Sequence, residues 1–320
     1  MKWKEQSLKS VRSQTTRKSR SKPRNHPIVR IRLAYQPPYA WDEMLSFLAA
    51  RAIPGVESVT DHAYRRTVSL QIGIHVYRGW ISIANLPERN SLSVRFASAL
   101  LPVLAEVCTR IRCIFDLNCN PTEIYEKLKI MNELRPELCV TGLRLPGCFD
   151  TFELSVRAVL GQQVTVKAAR TLARRFATAF GRKIITPFQD LNLTFPNADL
   201  IYRLPIPIEN HLGPLGIIGS RARAIFALSE ALMTDSLLFS QSAESENTKE
   251  KLLKLPGFGP WTVQYIGMRA LGWPDAFPHT DYGVKKALPG LTPQEILQLS
   301  KIWSPWRSYA TFMLWNSLTK

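Results

Sequence analysis

Residues 255–262 read Leu-Pro-Gly-Phe-Gly-Pro-Trp-Thr, with two glycines in a short turn between two segments of helical pattern. Glycine permits positive φ and lets a ligand approach the backbone closely. The main-chain N–H groups of such a turn, with the N terminus of the next helix, can hold a phosphate oxygen. The spacing therefore predicts a phosphate-binding helix-hairpin-helix at 249–271, unless the turn needs glycine for packing alone. The candidate binding residues are Gly257, Phe258, Gly259 and Thr262, the last as a hydroxyl donor.

Asp281 follows His279 and Thr280 at the start of another short helical segment, 282–288. Aspartate before a helical run commonly caps the helix. A helix N terminus also favours an ionised carboxylate, and a carboxylate can stabilise the oxocarbenium-like sugar that forms when a glycosidic bond breaks. The two interpretations are compatible, so Asp281 is the candidate catalytic residue.

The elements that must position these residues fall into two groups along the 320-residue chain. Short alternating runs predict strands at 28–35, 66–72, 76–84 and 91–96 around one helix at 41–52. From residue 121 onward the pattern is helical, and Ser220 is a candidate N-cap. The predicted segments are 121–131, 149–181, 220–234, 249–255, 260–271, 282–288, 293–303 and 306–318, with a polar loop at 235–247.

The fold expected from this order is α+β. A basic disordered tail at 1–26 precedes an N-terminal α/β domain with an antiparallel sheet at 27–117. A mostly α-helical core of two subdomains follows at 118–320. The tail is expected to be disordered because it holds Lys, Arg, Ser, Thr and Gln with almost no large apolar groups.

The formal net charge is +17 at pH 7, and the first 24 residues carry nine lysines and arginines against Glu5. Such an excess favours polyanions, because neutralising phosphates releases condensed counterions. Nucleic acid and an anionic membrane surface both qualify. No apolar run approaches the roughly 20 residues of a membrane-spanning helix, so we expect a soluble, intracellular protein without a membrane partner.

Five cysteines form an odd set with no CxxC pair. Neither a disulfide framework nor a tetrahedral zinc site is indicated, and buried reduced thiols are expected instead. No metal-binding residues are predicted. The cysteines are Cys108, Cys113, Cys119, Cys139 and Cys148.

A hairpin of the form LPGxGxW followed by an aspartate in a TDY context resembles the helix-hairpin-helix DNA glycosylase superfamily. Further blocks at 35–53, 144–169 and 301–309 are similar to the bacterial DNA-3-methyladenine glycosylase II family, and the resemblance runs from about residue 28 to the C terminus. It implies an enzyme of base excision repair that hydrolyses the N-glycosidic bond of alkylated bases in duplex DNA.

Carried over residue by residue, the resemblance makes Asp281 the catalytic carboxylate. It also implies an aromatic base pocket, and electron-rich rings attract cationic bases such as 3-methyladenine. For each aromatic residue, core packing is the alternative. The implied pocket residues are Trp261, Tyr265, Tyr282, Trp306 and Phe47.

Gln162 and Gln163 match the loop that inserts into DNA beside the flipped nucleotide in this family. The family places leucine at the position of Gln163. An amide can hydrogen-bond the orphaned base instead of filling the gap, or it can be an ordinary residue of a helix bend. Both interpretations remain open from sequence.

Position 261 predicts the subclass. In bifunctional relatives a lysine at this hairpin position forms a Schiff base with the sugar, whereas this chain has Trp261. We therefore expect a monofunctional enzyme without lyase activity, in which water attacks near Asp281 and an abasic site remains. The C-terminal cysteines that hold an iron–sulfur cluster in other relatives are absent, since the last cysteine is Cys148.

Other expectations follow from the same resemblance. No cofactor is expected, apart from a monovalent cation that could bridge hairpin carbonyls to DNA phosphate. The partner is double-stranded DNA with alkylated bases, and the protein is expected to act as a monomer in the bacterial cytoplasm, associated with the nucleoid through DNA. The alternative function is a non-catalytic helix-hairpin-helix DNA-binding protein, because such hairpins also bind phosphate without catalysis.

Overall fold

The structure is a computed structural model that describes residues 28–60, 62–235, 238–239 and 246–319. The predicted basic tail at 1–26 lies outside the described residues, as does much of the predicted loop at 235–247.

Five antiparallel strands form one sheet in the order β1-β5-β4-β3-β2. The four predicted strands are confirmed with small shifts of their ends. The fifth, β2, was not predicted because it has only 4 residues. The strands are β1 Ile28–Ala34, β2 Glu57–Thr60, β3 Ala63–Ile72, β4 His75–Leu86 and β5 Ser91–Ala97.

One face of the sheet packs against helices, as the α+β prediction requires. Ile81, Ile83, Val94 and Phe96 are fully buried on that inner face, because alternate residues of a strand point to the same side. The covering helices are α1 Trp41–Arg51, α2 Leu104–Ile114 and α3 Pro121–Leu128. Helix α2 was missed from sequence.

The predicted helical segment 149–181 is divided into α4 Thr151–Leu160 and α5 Val166–Phe180. The chain turns between them, where Gln163 has a φ of 55° and the Thr165 side chain caps α5. Two short helices, α6 Ala198–Tyr202 and α7 Glu209–Leu212, were not predicted.

Helix α8 spans Gly219–Thr234, so Ser220 lies inside it and its assignment as the N-cap is wrong; the cap is Ile218, without a side-chain hydrogen bond. The remaining predicted helices are present with ends shifted by a few residues. They are α9 Glu246–Leu253, α10 Pro260–Arg269, α11 Tyr282–Ala287, α12 Pro293–Leu299 and α13 Arg307–Asn316.

Buried apolar residues form two clusters. The first joins the sheet and α1–α3 to the C-terminal helices α11–α13, and the second joins α4–α10. Apolar packing therefore continues across residue 117, and the domain boundaries remain a prediction. Helix α10 contributes to both clusters, with Val263 in the second and Met268 in the first, and so it lies where the two clusters meet.

All five cysteines lie in the described part of the chain, and no disulfide joins any two of them. Cys139 is buried, whereas the other four are only partly buried, so the expectation of buried thiols holds fully for one. No helix within the described ranges is both long and apolar enough to cross a bilayer.

Candidate active site

Asp281 accepts hydrogen bonds from three donors. The indole Nε1 of Trp261 donates to Oδ2 at 2.9 Å, and the indole Nε1 of Trp315 donates to Oδ1 at 2.8 Å. The main-chain N–H of Val284 also donates to Oδ1, at 3.1 Å, so Asp281 caps α11 as predicted. Two indoles and a helix N terminus thus fix the position of one half-buried carboxylate.

Aromatic rings surround this carboxylate. Trp261 stacks on Tyr265 with centroids 5.2 Å apart and an interplanar angle of 23°. Tyr265 lies 5.9 Å from Trp315, and Trp315 is nearly parallel to Phe47, at 6.1 Å and 9°. Helices α1 and α10 therefore bring Phe47, Trp261 and Tyr265 together near Asp281, next to Trp315 of α13, and their role as a base pocket remains a prediction.

The structure corrects the fourth ring, because Trp315 takes the place predicted for Trp306. Trp306 precedes α13 and packs edge-on against Tyr309, at 5.6 Å. Trp315 lies near the other end of α13, about 13 Å away at 1.5 Å per residue. The sequence signal for Trp315 was an indole directly after the apolar run 312–314, since a buried indole N–H usually needs a partner.

Tyr282 follows Asp281 directly but is 76% exposed. Within the described ranges its ring has no contact with another aromatic residue, unlike the four rings above. Tyr282 therefore lies at the mouth of the site in this structure and does not line it.

Two arginines that sequence reasoning missed lie against the aromatic rings. The Cζ atom of Arg51 is 3.7 Å from the ring centroid of Phe47, and that of Arg269 is 4.7 Å from the same centroid. Arg269 is 5% exposed, and its guanidinium donates to the Tyr265 hydroxyl at 3.0 Å. The pocket therefore combines electron-rich rings with resident positive charges.

These charges alter the acidity of the groups around them. Burial lowers the pKa of Arg51 to about 10, with further lowering by Arg269 and Arg157. Burial raises the pKa of Tyr265, but the nearby guanidinium groups of Arg269, Arg51 and Arg157 outweigh it, and the pKa falls below its usual value. The deep side of the pocket is therefore electropositive.

A buried ion network supports Arg51 from below. Arg157 donates to the main-chain oxygen of Arg51 at 2.7 Å and forms ion pairs with Glu57 and Glu153, at 2.8 and 3.2 Å. Arg66 pairs with Glu153 at 2.6 Å. Because breaking a buried ion pair leaves an uncompensated charge, this network holds the end of α1 firmly against the pocket.

The predicted hairpin is present between α9 and α10, and its two glycines differ in purpose. Gly257 has a φ of +79°, and a Cβ there would lie 2.9 Å from the Cβ of Ala224. Gly259 has an ordinary φ of −85° and open space where its Cβ would be. Packing explains Gly257, while Gly259 leaves room for close approach of a ligand to the backbone.

Two predicted hairpin contacts need correction. Thr262 is 2% exposed and its hydroxyl oxygen accepts a hydrogen bond from Gln162, so burial keeps its hydroxyl from reaching a phosphate. The Phe258 side chain is 4% exposed and belongs to the second apolar cluster. Only main-chain groups at these two positions remain candidates for DNA contact.

The two predicted loop glutamines have different environments. The Gln162 amide donates to the main-chain oxygen of Gly257 at 2.8 Å and to Thr262 Oγ1 at 3.0 Å, and Arg221 donates to its main-chain oxygen. Gln162 therefore ties the α4–α5 loop to the hairpin. Gln163 is exposed, with its backbone in the left-handed region at φ 55°, and its side chain is the one available for insertion.

The hairpin fits the monovalent cation that the resemblance implies. The carbonyl oxygens of Leu255, Gly257 and Gly259 each accept a hydrogen bond from within the protein, and each keeps a second lone pair. Main-chain oxygens of the turn are thus the available ligands. The predictions about cofactors and metals remain predictions.

Comparison with known proteins gives strong similarity at the level of sequence. The family model described as the AlkA N-terminal domain matches residues 30–150. DNA-3-methyladenine glycosylase 2 of Escherichia coli (strain K12) is 38% identical over 283 residues, which cover 88% of this chain and 95% of that protein. DNA-3-methyladenine glycosylase of Bacillus subtilis (strain 168) is 34% identical over 64% of this chain and 69% of its own length.

Solved structures share the fold. The 3-methyladenine DNA-glycosylase from Archaeoglobus fulgidus has a TM-score of 0.72 at 18% identity, with 89% of this chain and 97% of that chain covered. MBOgg1 in complex with a low-affinity DNA ligand has a TM-score of 0.69 at 17% identity, over 92% and 99%. At these identities the likeness shows that the chain shares the α+β fold of these structures.

Proposed function

The chain belongs to the DNA-3-methyladenine glycosylase 2 family, and we propose that it hydrolyses the N-glycosidic bond of alkylated bases in duplex DNA, leaving an abasic site. It is a DNA glycosylase of base excision repair, and DNA is its substrate. The observation that carries the mechanism is the carboxylate of Asp281, held by two indole N–H groups inside a cluster of aromatic rings.

Asp281 is the proposed catalytic residue. As the glycosidic bond breaks, positive charge develops on the sugar, and a fixed negative charge nearby lowers the barrier without reorganisation at the moment of reaction. Trp261, Trp315 and the N terminus of α11 fix the carboxylate oxygens through hydrogen bonds of 2.8 to 3.1 Å. The carboxylate is thereby oriented before the substrate arrives.

The proposed base pocket is formed by Phe47, Trp261, Tyr265 and Trp315. A base inside duplex DNA is inaccessible to these residues, so the target nucleotide must be flipped out of the stack. The rings offer stacking surfaces, and the guanidinium groups of Arg51 and Arg269 lie 3.7 and 4.7 Å from the Phe47 ring centroid. Rings favour a cationic base, whereas the arginines oppose one.

Water is the proposed nucleophile, and we propose that the enzyme lacks lyase activity. Schiff-base chemistry needs an amine close to the sugar, but the hairpin position holds Trp261, which has only an indole N–H and uses it on Asp281. Lys285 and Lys286 are exposed on α11. Oδ2 of Asp281 accepts one hydrogen bond from the described residues and keeps a lone pair that can orient water.

DNA binding is proposed to use the hairpin and the α4–α5 loop. Main-chain N–H groups around Gly259 and the N terminus of α10 contact a phosphate, and hairpin carbonyls would hold the cation, which would supply positive charge next to that phosphate. Gln163 enters the duplex where the nucleotide has left, and its amide can hydrogen-bond the orphaned base. Gln162 holds this loop against the hairpin.

Family membership excludes the alternative of a non-catalytic hairpin protein, because the relative that covers most of the chain is named as a glycosylase. We further propose that the protein acts as a monomer in the bacterial cytoplasm, close to the nucleoid. The bacterial origin of the relatives at 38% and 34% identity supports this proposal.

The test is base release from methylated duplex DNA, followed by chromatography of the free base. We expect release of 3-methyladenine and 7-methylguanine, strands that break only after added alkali, and no covalent complex after borohydride. Strand breaks without alkali would contradict the monofunctional assignment, and Lys285→Gln would then test the lysine nearest to Asp281 in sequence. Absence of any released base would contradict the proposed function as a whole.

A further inference from the structure

The outer face of the sheet, opposite the helices, carries a group of arginines. The register pairs Arg30 of β1 directly with Arg95 of β5, and Arg95 with Ser82 of β4. Arg32 and Arg78 lie an even number of residues from Arg30 and Ser82, so they point to the same side. We call Arg30, Arg32, Arg78 and Arg95 the arginine face.

These charges have no compensation within the described part of the chain. The outward positions of the five strands carry no aspartate or glutamate, and no described carboxylate lies within ion-pair distance of the four arginines. Like charges directly opposite on neighbouring strands destabilise a sheet. Arg30 and Arg95 therefore oppose folding slightly, which favours a role for them outside the fold.

Two further observations indicate an external anion. The Nε atoms of Arg78 and Arg95 are buried without a hydrogen-bond partner among the described residues. Burial lowers the pKa of Arg78, and the positive charge of Arg182 beside it lowers that pKa further. Arg182 thus adds a further guanidinium near Arg78.

Only part of the arginine face is exposed to solvent. Phe188 packs edge-on against Trp80 at 5.1 Å, and Thr67 Oγ1 donates to the Leu193 oxygen at 2.6 Å, so the segment 182–195 covers the β3 side. Arg30 and Arg32 on edge strand β1 are exposed. Trp80 is the one aromatic residue at an outward strand position, and it is buried, so its ring cannot stack on a base.

The arginine face lies on the side of the sheet opposite the base pocket. Arg66 on β3 points inward and pairs with Glu153 of α4 in the network beneath the pocket, whereas its neighbour Arg65 points outward, over the ring of Phe188. A duplex whose flipped base occupies the pocket therefore lies on the other side of the sheet. Any DNA on the arginine face belongs to a different segment.

We propose that the arginine face is a second DNA-binding surface, which holds the phosphate backbone of an undamaged duplex segment while the pocket holds another. This rests on DNA being the substrate. Guanidinium groups match phosphate geometry, and the register pairs the four arginines only with one another or with serine. The 27 residues that lead into edge strand β1 carry nine further lysines and arginines. Binding through phosphates alone is independent of base sequence.

The test uses the full chain and the variant R30Q/R32Q/R95Q. Its matched control is K127Q/K129Q/R135Q, which removes three positive charges from exposed residues of α3 and of the segment that follows it. Affinity for an undamaged 30-base-pair duplex is measured at several salt concentrations. We expect the slope of log K against log salt to fall by about 2 to 3 in the variant, at roughly 0.9 for each phosphate that is no longer neutralised, and by less than 1 in the control.

A second measurement distinguishes a protein with two DNA-binding surfaces from a protein with one. A labelled lesion duplex is bound first, and its dissociation rate is followed at increasing concentrations of unlabelled duplex. With two surfaces the competitor accelerates dissociation of the wild-type complex, and this acceleration is lost in R30Q/R32Q/R95Q but retained in R30K/R32K/R95K, which keeps the charges. Single-turnover excision at saturating protein stays unchanged in all variants.

Equal salt slopes for the variant and its control would overturn the proposal, and so would dissociation independent of competitor in the wild type. If the variant instead loses binding to phosphatidylglycerol vesicles while its DNA affinity matches the control, the face serves a membrane surface and the DNA proposal fails. If the wild-type protein showed no excision, the proposed function would be contradicted, but the DNA-binding measurements could still be interpreted.

Discussion

Trp315 on α13 donates its indole N–H to Oδ1 of Asp281 across 2.8 Å. The same residue stacks on Phe47 of α1 and lies 5.9 Å from Tyr265 of α10. One side chain thus holds the carboxylate and packs against the neighbouring rings, so in the proposed mechanism catalysis and base binding depend on the packing of the same three helices.

Trp315→Phe separates these two roles, because phenylalanine keeps an aromatic ring and lacks the N–H donor. A hydrogen bond to a charged group contributes about 1.5 to 3 kcal/mol, so we expect the single-turnover rate of excision to fall by about tenfold or more, with DNA affinity nearly unchanged. Trp306→Phe is the matched control and should leave the rate within about twofold. A larger effect at Trp306 than at Trp315 would contradict the placement of the pocket.

Arg51→Gln removes a guanidinium 3.7 Å from the Phe47 centroid. Because a positive charge opposes binding of a cationic base, we expect excision of 7-methylguanine to improve relative to neutral hypoxanthine, by a few-fold to about tenfold. Arg51→Lys keeps the charge and should keep the wild-type ratio. The measurement is the ratio of kcat/KM for the two lesions. An unchanged ratio in Arg51→Gln would show that the charge of Arg51 does not affect lesion preference and that Arg51 contributes only to packing.

Gln163→Ala should weaken binding to a duplex with an abasic site more than binding to undamaged duplex, because only the former leaves an orphaned base. We expect a loss of several-fold, comparable to about one hydrogen bond, measured by titration of both duplexes. Gln162→Ala should instead lower thermal stability, since it leaves the buried Thr262 hydroxyl without the Gln162 amide. If Gln162→Ala showed the selective loss and Gln163→Ala did not, the assignment of the inserted residue would be reversed.

Asp116 gives a pH dependence of stability. Burial raises its pKa to about 6, partly offset by hydrogen bonds from Tyr309 and Leu145. Because the folded-state pKa lies above the unfolded value, the folded protein binds the proton more tightly. This contribution to stability is present in full below the unfolded pKa and is lost as pH rises through about 6.

Asp116→Asn should therefore flatten the change in unfolding free energy between pH 4.5 and 7, measured by urea denaturation. Asparagine tolerates the positive φ of 49° at this position, and its carbonyl can accept both hydrogen bonds. Asp275→Asn is the comparison, because burial raises the pKa of Asp275 but its contacts with Arg307 outweigh burial and lower it. An unchanged pH profile in Asp116→Asn would remove Asp116 as the titrating group.

Local signals were enough to find the hairpin and the catalytic candidate. Glycine spacing predicted the turn at Gly257, and a cap position predicted Asp281, because both depend on residues near in sequence. Trp315, Arg51 and Arg269 depend on how α1, α10 and α13 pack, and no local pattern distinguishes them from core or surface residues. The resemblance predicts Trp306, which lies just before α13, whereas Trp315 near the other end of that helix contacts Asp281.

The errors in the fold have similar causes. Strand β2 is too short for a visible alternation, and the segment 149–181 carries apolar residues at helical spacing on both sides of the break near Gln163. Ser220 has the residue type of an N-cap, yet the helix begins one residue earlier at Gly219. The arginine face was invisible because its members lie on three strands that meet only in the sheet.

The proposed mechanism requires the negative charge of Asp281 to stabilise the developing sugar cation, and Asp281→Asn removes that charge. The amide keeps the shape and removes the charge that opposes the developing sugar cation. Its NH2 group cannot accept an indole hydrogen bond, so we expect a loss of stability of about 1 kcal/mol with a fold that remains intact. Single-turnover release of 3-methyladenine from methylated duplex should fall by at least on the order of 100-fold, with DNA affinity within about threefold of wild type. Release at the wild-type rate by folded Asp281→Asn protein would contradict the mechanism.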